Sequence, residues 1–365
     1  MCWGCDLRRW CMYKLDVKSR IFTKGAALAQ ILAAEWTNTL SLSADELAQV
    51  TPLLLNSGGG AWAWRQVRQT DLNTTPAAQE LHQAYRIHAL QVAIKEREIA
   101  QVFTHLRSQR MEPLMGKGWA MARQYPEPGL RPFGDIDLYV RREQYDDFRT
   151  ALQTVSGAVV DLHNGAAELD DRSFEQLYAH SQLLSLHGVD VRIFGPEDQL
   201  RLLCLHFLRE GALRPLWLCD IAVSVTGLPQ NFDWDYFLSG NQRRSDGVIF
   251  TIGLAHQLLG VPIASLPIAA QATKLPRWLI PTVLKLWGQG KSTKGRRRMM
   301  AAYLQYPAGV LRALRERWPN AIEATIGTKA PFNNWPRLPF QLGECVLRTI
   351  AFARQIPGVI YKAQM

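Results

Sequence analysis

A glycine turn followed by a strand with two acidic side chains limits the possible folds of this chain more than any other feature. The turn is Gly116-Lys117-Gly118, and the strand is the Asp-Ile-Asp-Leu-Tyr-Val segment at 135–140. β-Branched and aromatic residues favour a strand in that segment. Because side chains alternate along a strand, Asp135 and Asp137 lie on one face while their apolar neighbours face a core. The pattern predicts an α/β (α+β) protein whose sheet presents carboxylates on one face.

The carboxylates of Asp135 and Asp137 indicate a metal site. Like charges that lie side by side repel each other unless a positive charge lies between them, and a divalent cation commonly fills that place. The alternative is that the aspartates cap a turn or pair with nearby arginines. The glycines at 116 and 118 favour the metal, because they let the backbone approach a phosphate at a helix start near Trp119. Together these features indicate metal-assisted phosphoryl or nucleotidyl transfer.

A two-metal site needs a third acidic ligand from a neighbouring strand. Asp190 is the first candidate, because it repeats the hydrophobic-acidic-hydrophobic pattern in the second strand of an expected hairpin at 182–194. Asp161, in an expected strand at 158–162, is the reserve. The alternative is that Asp190 is an exposed aspartate on an edge strand.

The Gly-Lys-Gly turn and the Arg131-Pro-x-Gly-Asp-x-Asp-hydrophobic-x-Val140 segment resemble the uncharacterised nucleotidyltransferases of the polymerase-β-like superfamily. Most of that superfamily has Gly-Gly or Gly-Ser before its D-x-D strand, whereas a lysine between the glycines, here Lys117, is usual in this branch. The resemblance runs from about residue 28 to about residue 355 and is specific at 114–140. It implies that the third carboxylate is Asp190, and that His206 and Asp220 lie on successive helices. A buried Asp and His on adjacent helices would most simply pair, and the alternative is that one of them reaches the substrate.

The resemblance implies that the chain transfers a nucleoside monophosphate from a nucleoside triphosphate, expected to be ATP, to a hydroxyl or phosphate acceptor. Two Mg²⁺ ions are the expected cofactors, with Mn²⁺ as an alternative. The expected catalytic and metal-binding residues are Asp135, Asp137 and Asp190. The expected nucleotide- and phosphate-binding residues are Gly116, Lys117, Gly118 and Arg131, with Arg131 acting on the leaving pyrophosphate.

Two other functions are compatible with the same fold. The first is protein modification (AMPylation), in which the nucleotide is transferred to a Tyr, Ser or Thr of a partner protein. The second is a non-catalytic protein that binds nucleic acid through a basic surface. The three expected carboxylates favour an enzyme over the non-catalytic alternative.

The net charge of +10 is concentrated in one part of the chain. Between Gly247 and Arg315 there is no Asp or Glu, but there are ten Lys and Arg residues. The basic stretch 274–300 suits nucleic acid, an anionic membrane surface or a basic rim above the active site, and a solvated face is the alternative. The uncharged segment 247–273 is interrupted by two prolines. It therefore predicts a buried helix that ends near Gly260, and no transmembrane segment.

The 365 residues are sufficient for two or three domains. We predict an N-terminal tail at 1–20, a helical region at 21–74, a nucleotidyltransferase-like core at 75–195 and a C-terminal helical domain at 196–365 that contains the basic stretch. The core is expected to be a small mixed sheet with helices on one face.

The N-terminal tail is expected to be loosely ordered and contains Cys2, Cys5 and Cys11. A metal site at this Cys-x-x-Cys is the less favoured interpretation, because no second pair or histidine lies nearby. No secretion signal is evident in this segment, so the six cysteines are expected to be reduced thiols of a cytoplasmic protein.

Overall fold

The computed structural model describes residues 4–290 and 317–363, and it describes side chains for 19–290 and 317–351. Most of these residues are helical. The helices are α1 (Gly4–Thr37), α2 (Ala44–Ser57), α3 (Gly60–Val67), α4 (Pro76–Ser108), α5 (Gly118–Ala122), α6 (Tyr145–Leu152), α7 (Phe174–Ala179), α8 (Pro196–Arg209), α9 (Pro215–Thr226), α10 (Trp234–Leu238), α11 (Gln242–Leu259), α12 (Ala269–Ala272), α13 (Leu279–Gly288), α14 (Ala321–Gly327) and α15 (Leu338–Ala363). Short 3₁₀ turns lie at Asp71–Thr74, Arg142–Gln144 and Ala167–Leu169.

Five strands form one open mixed sheet in the order β3-β2-β1-β5-β4. They are β1 (Leu114–Met115), β2 (Ile136–Val140), β3 (Val160–Asn164), β4 (Gln182–Leu186) and β5 (Val189–Ile193). β2 is parallel to β3 and antiparallel to β1, while β1 is parallel to β5 and β5 is antiparallel to β4. The expected hairpin is β4-β5, which turns at His187 and Gly188 with positive φ at both residues, as tight hairpins require. The predicted α+β class with a small mixed sheet and flanking helical regions is confirmed.

Side-chain alternation along β2 divides the sheet into two faces. Ile136, Leu138 and Val140 belong to one core, together with residues of α4 and α6. Tyr139 points to the opposite face and contacts Phe194 edge-on, with ring centroids 5.0 Å apart. The sequence predicts helices on one face of the sheet. In the structure α8 also covers the Tyr139 end of the second face, while the end that carries Asp137 borders a cleft.

The longest helix of the core begins as its capping sequence predicts. The Thr75 hydroxyl accepts a hydrogen bond from the Ala78 N–H at 3.3 Å, and Pro76 occupies the first turn of α4. α11 ends at Leu259, where Gly260 adopts a left-handed conformation with φ 78°, so the prediction of a helix ending near Gly260 is confirmed. Within the described residues, every helix is either too short or too polar to cross a lipid bilayer.

α1 begins at Gly4, so the backbone of residues 4–20 is helical; the expected loose order of this tail stays a prediction. In the basic stretch, α13 buries Val283, Leu284 and Trp287. Its apolar face therefore packs inside the protein, against α1, and is not available to a membrane surface. The remainder of that stretch, 291–300, lies outside the described residues.

Candidate active site

The pairing of β2 with β3 brings an acidic and an imidazole side chain next to the D-x-D segment. The two strands are parallel, with Asp137 opposite Asp161 and Tyr139 opposite His163. Because residues two apart point to the same face, all four side chains lie on one side of the sheet. The rings of Tyr139 and His163 stack with centroids 4.3 Å apart and an interplanar angle of 11°, which fixes the orientation of the imidazole.

Asp137 is the centre of this group. Its Oδ1 lies 3.0 Å from Nε2 of His163 and accepts a hydrogen bond from Nζ of Lys117, also at 3.0 Å. Only 7% of the residue is exposed. Burial alone would raise the pKa of Asp137, but the hydrogen bond from His163 and the charge of Lys117 outweigh it and lower the pKa. Asp137 is therefore an ionised carboxylate at neutral pH.

Asp137, Asp161 and His163 form a group of potential metal ligands. One ligand atom from each lies within 4.8 Å of the others. The Asp161 carboxylate is more than half exposed, and its Oδ2 is 3.5 Å from Nε2 of His163. Asp135 lies one residue before β2 and lines the same cleft, but it is outside this group of three.

The structure does not bring Asp190 to this group. Ile193 is level with Met115 and Leu138, so Asp190 is level with Arg141. Four residues along β2 and two strand spacings then separate it from Asp137, which amounts to about 13 Å along the strands and about 10 Å across them. The Asp190 side chain is 55% exposed and pairs with Arg107 at 3.4 Å. The reserve candidate Asp161 occupies the position expected of Asp190.

The glycine turn is built differently from the expected phosphate cradle. The Gly116 N–H donates to the Asp137 carbonyl at 3.2 Å, and a Cβ at Gly116 would lie 2.9 Å from the Phe194 ring. Gly116 is thus required by packing. Lys117 has φ 48°, an uncommon conformation for a residue with a side chain, and this conformation accompanies the contact with Asp137. A Cβ at Gly118 would lie 3.4 Å from the Asp135 carbonyl oxygen and 3.8 Å from the Asp137 carboxylate, which are ordinary contact distances, so Gly118 lies directly beside the D-x-D segment.

Arg131 lines the cleft, but its guanidinium group is hydrogen-bonded to other residues of the protein. Its Nη2 donates to Asp220 at 2.9 Å, its Nε lies between both carboxylate oxygens, and its Nη1 donates to the Pro132 carbonyl. The hydroxyl of Tyr125 donates to the same Asp220 at 2.8 Å. Asp220 is fully buried, so this is an ion pair that joins α9 to the loop before β2. The expected pairing of Asp220 with His206 is wrong.

His206 pairs with Glu168 instead. Its Nδ1 lies 3.3 Å from Oε1 of Glu168, and the same oxygen forms an ion pair with Nη1 of Arg209 at 2.7 Å. Burial would raise the pKa of Glu168, but His206, Arg209 and the nearby Lys117 lower it to about 2. Burial is also the largest influence on His206 and lowers its pKa, so the imidazole is neutral at pH 7.

Sequence reasoning missed His163 and Glu168. His163 follows Asp161 by two residues, which is the strand period that also relates Asp135 to Asp137, so an Asp-x-His signal was present. Glu168 lies in a polar loop with no periodicity. Only the folded chain brings it to His206.

A cleft of about 910 Å³ contains the candidate site. One wall is the sheet edge with Asp137, Asp161 and His163. The opposite wall comes from the end of α8, the start of α9, and α14 and α15. Its charged and aromatic side chains are His206, Arg209, Glu210, Arg214, Trp217, Glu323 and Arg348.

Comparison with known families decides the assignment. The family described as "Uncharacterised nucleotidyltransferase" matches residues 60–156 and 152–260. These two segments together cover more than half of the 365 residues. The chain belongs to the uncharacterised nucleotidyltransferase family. No curated protein and no solved structure matches it.

The nucleotidyltransferase family match covers both walls of the cleft. It includes Asp137, Asp161 and His163 on the sheet side, and Arg209 and Trp217 on the helical side. Glu323 and Arg348, from α14 and α15, lie outside the matched residues. The resemblance found at 114–140 is thereby confirmed for the family.

Proposed function

We propose that this nucleotidyltransferase transfers a nucleoside monophosphate from a nucleoside triphosphate, with ATP the expected donor, to a hydroxyl or phosphate acceptor. A divalent cation held by Asp137, Asp161 and His163 supports the reaction. The observation that carries the proposal is the convergence of these three ligand atoms within 4.8 Å at the wall of a large cleft.

The chemistry of the three donors fits a divalent cation. Asp137 and Asp161 offer oxygen ligands of the kind that Mg²⁺ and Mn²⁺ take, and His163 adds an imidazole nitrogen, which Mn²⁺ accepts more readily than Mg²⁺. Stacking on Tyr139 holds that nitrogen toward the two carboxylates. The two-ion arrangement stays part of the proposal. Asp135, exposed in the same cleft, is the ligand available to a second ion in place of the expected Asp190.

When bound, the cation would stabilise negative charge on the reacting phosphate and lower the pKa of the acceptor hydroxyl. Lys117 keeps Asp137 in position through their 3.0 Å contact and places a second positive charge beside the phosphates. Its backbone strain is consistent with that role, since strained residues persist where the surrounding structure requires them.

A thermal-shift panel of ATP, GTP, CTP and UTP, each with Mg²⁺ or Mn²⁺, tests the proposal. A bound nucleotide raises the melting temperature by mass action, and we expect a rise of a few degrees that needs both metal and nucleotide. Asp137→Ala is expected to abolish the rise.

Asp190→Ala is the matched control, because it removes an aspartate at the far end of the sheet. It is expected to keep the full nucleotide-dependent rise. An equal rise in wild type and Asp137→Ala would contradict the proposal. If nucleic acid then bound with a steep salt dependence that Asp137→Ala leaves unchanged, the non-catalytic alternative would be favoured.

A further inference from the structure

The expected phosphate-binding groups are largely occupied within the protein. All three guanidinium nitrogens of Arg131 donate hydrogen bonds within the protein, to Asp220 and to the Pro132 carbonyl. The Gly116 N–H is bonded to the backbone of β2. Apart from Lys117 and the proposed metal ion, a positive charge for the substrate phosphates has to come from other residues of the cleft.

Arg214, which precedes α9, is a cation of the opposite wall with no acidic partner. Among the described residues no carboxylate lies within ion-pair distance of its guanidinium; Nε and Nη2 reach only the Ser57 carbonyl, at 3.4 and 3.3 Å. Its Nη1 has no partner in the described part of the chain and is not a fully buried atom, so it opens onto the cleft. From beyond ion-pair distance, Asp220 and Asp135 offset part of the cost of burying this charge, and an anion from the cleft would offset more of it.

The Arg214 side chain is held rigidly in this orientation. Its guanidinium lies 4.9 Å from the centre of the Trp217 ring, and Trp217 in turn meets His206 edge-on at 4.7 Å. On the other side, Nη2 would lie 3.2 Å from a Cβ at Gly58, so the turn after α2 also confines it. A planar guanidinium that is pre-oriented loses little entropy when it binds a phosphate in a bidentate manner.

A second arginine faces the same space. Arg209 pairs through Nη1 with Glu168 at 2.7 Å and through Nη2 with Glu210 at 3.6 Å, but 46% of its side chain is exposed and it lines the cleft. The start of α9, a helix of 12 residues, borders the cleft at Leu216 and Trp217 and adds the positive end of a helix dipole. Glu210 and Glu323 line the same wall, but they pair with Arg209 and Arg348, so among the residues that the structure describes Arg214 is the arginine of this wall that an anion would meet without a carboxylate at ion-pair distance.

We propose that Arg214, which lies over the Trp217 ring and is assisted by Arg209, binds a phosphate group of the substrate in the cleft that also contains Asp137. This rests on the proposed function, since it names the binding site for a phosphorylated substrate of the same cleft. The phosphate belongs either to the triphosphate chain of the nucleotide or to a phosphorylated acceptor.

Calorimetric titration of tripolyphosphate, in the presence of EDTA, tests the assignment without metal or turnover. Loss of one charged hydrogen-bonding group is expected to weaken binding about tenfold or more in Arg214→Gln. Arg214→Lys keeps the charge but loses the planar stack, and should bind with intermediate affinity. Arg209→Gln should bind several-fold more weakly than wild type.

Arg141→Gln is the matched control. Arg141 also lies over an aromatic ring, that of Phe174 at 5.0 Å, but it pairs with Glu175 outside the cleft, so its substitution should leave binding unchanged.

Modification of the wild-type protein by phenylglyoxal, read by mass spectrometry, needs no variant to fold. Tripolyphosphate should protect Arg214 and leave Arg141 reactive.

Asp137→Asn separates this assignment from the proposed function, because it should abolish metal-dependent nucleotide binding and still bind tripolyphosphate. If a non-hydrolysable ATP analogue with Mn²⁺ displaces tripolyphosphate, Arg214 binds the triphosphate chain of the nucleotide. If tripolyphosphate binds alongside the analogue, Arg214 binds the phosphate of an acceptor. The assignment is overturned if wild type does not bind tripolyphosphate, if folded Arg214→Gln binds it as tightly as wild type, or if Arg214 is not protected.

Discussion

Asp137 keeps its charge inside the protein because two donors meet the same oxygen. The Lys117 ammonium and the His163 imidazole each lie 3.0 Å from Oδ1, and the residue is almost fully buried. A buried carboxylate that lacked such partners would be neutral and a poor metal ligand. The local contacts thus keep Asp137 ionised, and Tyr139 orients the imidazole beside it.

The Glu168 carboxylate makes the free energy of unfolding depend on pH. Its pKa is about 2 in the folded protein, against 4.5 as the ordinary value. The ionised form is thus stabilised by about 3 kcal/mol, a contribution that is present above pH 4.5 and is lost as the pH falls toward 2. We expect Glu168→Gln to lower the free energy of unfolding by about 3 kcal/mol at pH 7. Urea denaturation between pH 2.5 and pH 7 should show this difference shrinking below pH 4.5.

Glu175→Gln is the control for this experiment. Glu175 also accepts a hydrogen bond from an arginine, Arg141, but it is exposed, so its substitution should change stability little at any pH. A difference between wild type and Glu168→Gln that is the same at pH 3 as at pH 7 would contradict the role given to Arg209 and His206.

At the scale of elements, α1 and α13 cross unusually closely through two glycines. A Cβ at Gly25 would lie 1.9 Å from the Leu284 carbonyl oxygen, and a Cβ at Gly288 would lie 1.8 Å from that of Ile21. The contact joins the N-terminal helix to the end of the described part of the basic stretch. It explains why the apolar side of α13 is covered.

Gly25→Ala is expected to destabilise the protein, whereas the same substitution in an exposed helix stabilises it. In an exposed helix alanine is about 1 kcal/mol more favourable than glycine. Here the new methyl group would force the two backbones apart, and we expect a loss of about 1–3 kcal/mol in the free energy of unfolding. Chemical denaturation measures it. Gly59→Ala, whose Cβ would be an ordinary 3.5 Å from its nearest neighbour, should be close to neutral; equal effects of the two would count against the crossing.

The strands show how far sequence pattern reaches. The period of two correctly predicts that Asp137 faces away from Ile136 and Leu138. Pattern does not tell which strand lies beside β2, because Asp161 and Asp190 both lie among β-branched and apolar residues. Register decides between them: β3 runs parallel to β2 with Asp161 opposite Asp137, whereas Asp190 lies toward the other end of the sheet. Local propensity carries no information about that pairing.

At the scale of the whole molecule, the sheet and the helical layer each supply one wall of the cleft. The D-x-D segment, β3 and Lys117 form one wall, and α8 and α9 bring the opposite one. The sequence predicts Asp137 and the glycine turn of the first wall, because they lie in one motif, but it favours Asp190 over Asp161 and does not single out His163. The second wall depends on contacts such as Arg131–Asp220 and Glu168–His206, which join residues far apart in the chain and leave no periodic signal.

The chemical class of the acceptor is also a question about the whole molecule, because helical elements, and not the D-x-D motif, form the rest of the cleft. A small molecule and a protein side chain are both chemically suitable acceptors for the proposed transfer. The two are distinguished by where a transferred nucleotide appears.

The most direct measurement is the fate of labelled ATP in a cell extract to which the protein and Mn²⁺ or Mg²⁺ are added. The account predicts that α-phosphate label moves to an acceptor while γ-phosphate label is released as pyrophosphate, and that Asp137→Asn abolishes both. Label in a protein band would identify the protein-modifying form of the reaction. Transfer of the γ-phosphate instead, or undiminished transfer by Asp137→Asn, would contradict the account.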